Sequence, residues 1–237
     1  MTHAMDVQEL GIVLVTEKHT PAMLNPDVLR CSGIIPIDWE LARPPLYAQH
    51  LTQLVFQNGI TLIAEANRIL FIEGIRAKAS SNICIARIAR HYIERLPHAN
   101  YQNVVISLKG TAVMNEHLDA VRQYLVTHLL APGAWQHFGQ EPVRASLNFT
   151  YTLENKRLNV SVSEAALEQS EGQVDPILLF VGTFAYPASV HPVQLCHVIE
   201  HWQTDLKIFE DLINQRFLNQ EKQTWTVPLP ELIPLNA

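Results

Sequence analysis

Leu54-Val55-Phe56-Gln57-Asn58-Gly59-Ile60-Thr61-Leu62-Ile63-Ala64-Glu65-Ala66-Asn67-Arg68-Ile69-Leu70-Phe71-Ile72 decides the fold. Asn58-Gly59 lies between two apolar runs. It suits a type I′ hairpin turn, in which both central residues need positive φ. Strands are expected at residues 47–56, 60–64 and 69–72, with Glu65-Ala66-Asn67-Arg68 as the second turn. That is a three-stranded meander. Working backwards, Gly11-Ile12-Val13-Leu14-Val15 predicts a buried strand. Residues 21–30 predict a short helix, with Asn25 as cap and Pro26 at the first position. Pro44-Pro45 then interrupts any regular element. Working forwards, Ser80-Ser81 opens a helix that Pro97 ends. Its apolar residues Ile83, Ile85, Ile88, Ala89, Tyr92, Ile93 and Leu96 fall near helical spacing.

The same order returns in the second half. Residues 104–108 predict a strand, and 115–130 a helix with Leu118, Val121, Leu125 and Leu129 on one face. Strands follow at 143–153, 158–162 and 177–186, then a long helix over 193–217. Matching punctuation supports an internal duplication. Pro36-x-x-Trp39 and Pro132-x-x-Trp135 each follow the first helix of a half. Pro45 and Pro142 each precede the meander, and Cys84 and Cys196 sit at similar places in the closing helices. The expected fold class is therefore α+β. An antiparallel sheet is built from two tandem β-α-β-β-β-α units, with helices covering one face. Residues 1–221 form a single domain, with pseudo-repeats at about 7–97 and 101–217. Residues 222–237 form an extended, Pro-rich apolar tail.

Composition narrows the function classes. The chain has 237 residues, of which 48% are hydrophobic, so it can bury a core without disulfides or metals. A net charge of −6 argues against nucleic acid, because phosphate binding calls for a basic stripe. The densest basic stretch, Arg76, Lys78, Arg87, Arg90 and Arg95, spreads around an amphipathic surface. The three cysteines, Cys31, Cys84 and Cys196, have no zinc spacing. Their apolar neighbours suggest buried thiols in a reducing compartment. No signal-peptide pattern or membrane-length apolar run occurs, so a cytoplasmic protein without membrane contact is expected.

The order of elements resembles the pseudo-duplicated sheets of the TATA-binding-protein-like and helix-grip fold groups, which host unrelated functions. Gly33-Ile34-Ile35-Pro36-Ile37-Asp38-Trp39-Glu40 and Phe209-Glu210-Asp211-Leu212-Ile213 are similar to stretches of an uncharacterised group of cyanobacterial proteins. That resemblance implies no catalytic residues and no cofactor.

His197-Val198-Ile199-Glu200-His201 has the H-x-x-E-H order of inverted zinc proteases, in which two His bind zinc and the Glu polarises water. The apolar stripe of its helix runs through Leu195, Val198, Ile199, Trp202, Leu206, Phe209 and Ile213. Glu200 points almost opposite that stripe and His197 nearly so. The motif is therefore expected to face solvent rather than hold a catalytic metal. Asp38 and Glu40 flank Trp39, but the second copy, Ala134-Trp135-Gln136, carries neither carboxylate. Packing of the Trp explains the pattern better than acid–base chemistry does. Glu65 and Glu73 are expected to guard strand ends. No nucleophile elbow and no Gly-rich phosphate loop occurs.

The tail holds the remaining signal. Trp225, Leu229, Leu232 and Ile233 are too apolar for a solvated segment, while Pro228, Pro230 and Pro234 favour extended backbone. These residues are expected to pack on their own domain or on a partner's edge or groove. The leading expectation is a non-enzymatic interaction protein that self-associates or binds another protein. A binding module for an apolar small molecule is the alternative, its pocket lined by Phe56, Phe71, Phe149 and Phe180. A third is an enzyme whose site is assembled from residues distant in sequence.

Overall fold

The computed structural model describes residues 4–17, 20–97, 99–114, 119–168, 174–187 and 191–219. It is an α+β protein built on one nine-stranded antiparallel sheet. The strands are β1 (Asp6–Thr16), β2 (Leu46–Ala48), β3 (Leu51–Val55), β4 (Ile60–Glu65), β5 (Arg68–Gly74), β6 (Tyr101–Val113), β7 (Ser146–Thr152), β8 (Arg157–Glu168) and β9 (Val174–Ala185). Their spatial order is β2-β3-β4-β5-β1-β6-β9-β8-β7. β1 and β6 pair at the centre, with Ile12 opposite Ile106. Outward from that pair, β5, β4 and β3 on one side answer β9, β8 and β7 on the other. β2, the outermost strand of the first half, has no counterpart among the described residues of the second.

Five helical segments complete the fold. They are α1 (Pro26–Cys31), α2 (Ile85–Arg95), α3 (Ala120–Gln123), α4 (Pro192–Glu200) and α5 (Trp202–Leu212). α3 continues as a π turn over Tyr124–Leu129, and α5 does so over Ile213–Leu218. Asn25 caps α1 as its sequence suggests, accepting from the Asp27 and Val28 N–H groups at 2.9 and 3.4 Å. Alternation sorts the strands into two faces. Leu10, Ile12, Leu14, Leu54, Leu62, Phe71, Ile106, Leu108, Val160 and Phe180 are fully buried on one face. The helices gather there. Tyr92 of α2 meets Phe71 edge-on at 5.5 Å between ring centres, and Phe217 meets Phe180 at 5.9 Å. The opposite face has no helix on it among the described residues. Its first half presents half-buried Val13, Val55, Ile63, Leu70, Ile72 and Val105, and its second half Asn148, Thr150, Asn159, Ser161 and Thr183.

Four local expectations change. The first meander has four strands, because residues 46–55 divide into β2 and β3. The turn at Asn58-Gly59 is not type I′. Gly59 N–H closes a tight turn on the Phe56 carbonyl at 3.1 Å, and Gly59 alone takes positive φ, +85°. A type I turn followed by a left-handed Gly satisfies the same strand twist with one special residue instead of two. The long closing helix breaks at His201, whose φ of −96° and ψ of 17° end α4 and start α5. The thiols are less buried than their neighbours imply, with Cys31 exposed and Cys84 and Cys196 half-buried.

The Phe209 ring of α5 sits directly over Gly182 of β9, in the space a side chain there would fill. A Cβ there would stand 2.5 and 2.6 Å from Cδ2 and Cε2 of Phe209. Gly182→Ala must displace the Phe209 ring, and a misfit of this kind costs about 1–3 kcal/mol. The expected result is a urea unfolding midpoint below that of the native protein, with an unchanged slope.

Candidate interaction edge

The sheet ends differently on its two sides. The β2 edge is three residues long and follows Pro44-Pro45, which are standard protections against strand addition. The β7 edge is seven residues long, Ser146-Leu147-Asn148-Phe149-Thr150-Tyr151-Thr152, with no charge and no proline. β7 pairs with β8 from Ser146 opposite Ser163 to Thr152 opposite Arg157, and no other described strand pairs with it. The hairpin that joins them fixes which backbone groups point outward. Leu153 N–H donates to the Lys156 carbonyl at 2.9 Å, so Leu153 faces β8. Alternation then turns the N–H and C=O of Thr152, Thr150, Asn148 and Ser146 away from the sheet. Their side chains are exposed, while those of Leu147, Phe149 and Tyr151 reach the helical face and stay half-buried.

α5 positions this edge. At one end, Asp205 is fully buried and is held by Lys156 from the β7–β8 turn and by the Tyr186 hydroxyl. Tyr186 donates to Asp205 Oδ2 at 2.8 Å. Lys156 Nζ also lies 5.3 Å from the ring centres of both Phe184 and Tyr186. At the other end, Phe217 packs edge-on against Phe149 of β7 at 5.2 Å. Between them, Phe209 covers Gly182, which is in register with Val160, itself opposite Phe149. Hence α5 and its π extension run from the turn after Thr152 towards the middle of β7, where Phe217 meets Phe149.

The other sequence candidates do not converge. His197, Glu200 and His201 are all exposed. Glu200 is engaged by Arg90 of α2, and the His201 ring nitrogen Nδ1 lies 2.7 Å from the His197 carbonyl. The two imidazoles are 4.2 Å apart between centres, one inside α4 and the other at the α4–α5 break. Among the described residues, no group of three or more His, Cys, Asp or Glu is placed to hold a metal ion. Trp39 packs on Phe56 at 5.3 Å, with Asp38 and Glu40 exposed. Its sequence counterpart, Trp135, is 42% exposed and so does not fill the equivalent place. Within the basic stretch, Arg76 pairs with Asp6, Lys78 with Glu73 and Arg90 with Glu94, which partly neutralises it. The tail residues Trp225, Leu229, Leu232 and Ile233 lie outside the described residues.

Glu73 departs from its expected role. β5 is an inner strand, so Glu73 guards no edge. It is 1% exposed. One carboxylate oxygen accepts from Lys78 Nζ at 2.9 Å, and the other from the N–H groups of Cys84 and Ile85 at 2.9 and 2.8 Å. The acid thereby caps α2 from a distant strand. Negative charge at a helix N-terminus is favourable. Burial, then the adjacent Glu73 carboxylate, pushes the Cys84 thiol pKa up. Such a thiol is a poor nucleophile.

The described residues form open depressions, two of which lie near the candidate residues. One, of about 560 Å³, is lined by Arg144, Ser146, Ser163, Glu164 and Pro176 at the start of β7. The other, of about 510 Å³, lies between α3 and residues 136–143 and includes Arg122 and His137. Arg122 is already tied to Asp119 at 2.9 Å and Glu164 at 3.3 Å. Phe56, Phe71, Phe149 and Phe180 line neither depression; their rings pack against Trp39, Tyr92 and Phe217.

Fold and edge together define a class: an α+β protein whose antiparallel sheet has, among the described residues, helices on one face and one edge strand without a covering partner. No protein-family model matches the chain, and no curated protein matches it. No described helix is long and apolar enough to cross a membrane.

Proposed function

We propose that this is a non-enzymatic interaction protein that self-associates. The observation that carries the proposal is the bare β7 edge, seven residues without charge or proline. Natural sheets block such edges unless something pairs with them. The β2 edge of the same sheet is blocked in the ordinary way, so the contrast lies within one molecule. The mirrored strand order, together with Pro36-x-x-Trp39 and Pro132-x-x-Trp135, also supports an origin by duplication. In that reading, the second copy kept its edge open where the first acquired β2. A pocket for an apolar small molecule has no specific observation in its favour, since the phenylalanines that would line it are packed on other aromatic rings. Native mass spectrometry of the full chain across the low micromolar range tests the proposal. A species of twice the chain mass is expected. A bare monomer throughout that range would overturn it.

A further inference from the structure

We infer that β7 of one chain pairs antiparallel with β7 of a second copy across a twofold axis, joining the two sheets into one. The inference rests on the self-association reading and names its interface.

The register of β7 on β8 decides how two copies can meet. Leu153 bonds to Lys156 across the hairpin. Leu147, Phe149 and Tyr151 therefore direct their N–H and C=O groups to β8, and Ser146, Asn148, Thr150 and Thr152 direct theirs outward. In an antiparallel ladder, residues directly opposite each other exchange both bonds. Even-numbered residues of one β7 must then face even-numbered residues of the other. One such register uses the whole strand. It sets Ser146 opposite Thr152 and Asn148 opposite Thr150, with Phe149 opposite its own copy on the axis. Any other leaves part of the strand unpaired.

That register is self-complementary on both faces. A twofold axis perpendicular to the sheet keeps the two helical faces on the same side. On that face Phe149 meets the second copy's Phe149, and Leu147 lies opposite the second copy's Tyr151. These are the positions without hydrogen bonds, where side chains approach most closely. All three residues are half-buried in the single chain, so pairing removes further apolar surface from water. On the other face, Asn148 opposite Thr150 and Ser146 opposite Thr152 are polar and uncharged. Nowhere along the strand do like charges meet.

The ends of the ladder add charge complementarity. The same register, carried just beyond β7, brings Arg144 opposite the second copy's Glu154, once at each end. Both residues are exposed. Neither enters an ion pair among the described residues. Glu154 sits in the turn that Lys156 ties to buried Asp205, so its place relative to the strand is held. Any extended chain can take the outward backbone groups of β7. A copy of β7 also supplies the opposite charge at each end and an aromatic ring at the centre. The joined sheet would end on both sides in β2, which is short and follows Pro44-Pro45. Assembly therefore stops at two chains.

Native mass spectrometry of the full chain over a dilution series tests this, with amide hydrogen exchange at each concentration. Arg144→Glu and Glu154→Arg should each weaken the dimer about tenfold or more, because symmetry replaces two opposite-charge pairs with two like-charge pairs. The double variant restores opposite charge and should return to within about threefold of the native dimer. The N–H groups of Asn148 and Thr150 should exchange slowly in the dimer and fast in the diluted monomer. A dimer in which these two stay unprotected, or whose double variant is no tighter than the single ones, would overturn the inference. Self-association would then stand by another surface. Equal protection in the monomer would mean that the chain covers β7 itself, and would also overturn it. A monomer at every concentration would overturn both readings.

Discussion

Asp205→Ala is expected to destabilise the protein by about 3–5 kcal/mol, the usual consequence of removing one partner from a buried ion pair. Asp205 is fully buried, and the Lys156 side chain is 9% exposed. Deleting the carboxylate leaves an ammonium under the β7–β8 turn with only the Tyr186 hydroxyl, 3.3 Å away, and two ring faces for company. The larger part of the loss is that stranded charge, not the worth of the pair. The double variant Lys156→Met, Asp205→Leu should therefore recover most of the stability. Urea unfolding at neutral pH checks both, the decisive outcome being a double variant more stable than the single one. A cluster worth only its surface value would give losses below about 1 kcal/mol.

The same cluster sets an alkaline limit. Burial first, then the Asp205 hydrogen bond and charge, raise the Tyr186 pKa well above its ordinary value. Burial does the same for Tyr92 and Tyr101, and pushes Tyr124 up to about 12. Free tyrosine titrates near 10. Between that value and the folded one, the unfolded chain holds fewer protons than the folded chain, so stability falls as pH rises. The stability these groups contribute is fully present below about pH 10 and is lost as pH climbs through their folded values. Phenolate absorbance from Tyr92, Tyr101, Tyr124 and Tyr186 should therefore rise in one cooperative step with unfolding. A gradual titration of these four in the folded protein would contradict this.

Much of the sheet was legible because alternation survives burial. Leu62 and Ala64, or Ile69 and Phe71, declare their face by parity alone. The division of residues 46–55 into two strands was not legible, since no Gly or Pro marks the turn after Ala48. The break at His201 was hidden because the apolar stripe continues through Leu195, Ile199, Trp202 and Phe209 across it. Exposure of H-x-x-E-H followed from that stripe; the Arg90–Glu200 pair that occupies its acid did not. Sequence reasoning passed over Asp205 and gave Glu73 the role of an edge guard, although the burial of each left a trace. Asp205 lies three residues after Trp202 and four before Phe209, on the apolar stripe of α5. Glu73 continues the parity of Ile69 and Phe71. An acid at a core position must find partners, and those partners were distant in sequence: Lys156 is 49 residues from Asp205, and Ile85 is 12 from Glu73. The open β7 edge could be read as a strand without charge or proline, but its place at the end of the sheet depended on a pairing order that local pattern does not encode.

Glu73→Ala is expected to cost about 2–4 kcal/mol, combining a lost helix cap with buried groups left unsatisfied. α2 has no side-chain cap of its own, because its N-cap residue is Cys84. Its first donors, Cys84 N–H and Ile85 N–H, both end on one Glu73 oxygen. Ile85 is fully buried, so water cannot replace the lost acceptor there. Glu73→Gln keeps one oxygen for those donors but turns an amide towards Lys78, and should cost roughly half as much. Amide hydrogen exchange separates this from general loosening. At Cys84 and Ile85 exchange should accelerate far more than at the centre of α2 in Glu73→Ala, and much less in Glu73→Gln. Uniform acceleration along the helix in both variants would mean that Glu73 acts through packing of β5 and not as a cap. The consequence reaches the middle of the sheet, since α2 carries Tyr92 onto Phe71 and joins Arg90 to Glu200 of α4. A helix frayed at its start would loosen the packing of α2 against α4.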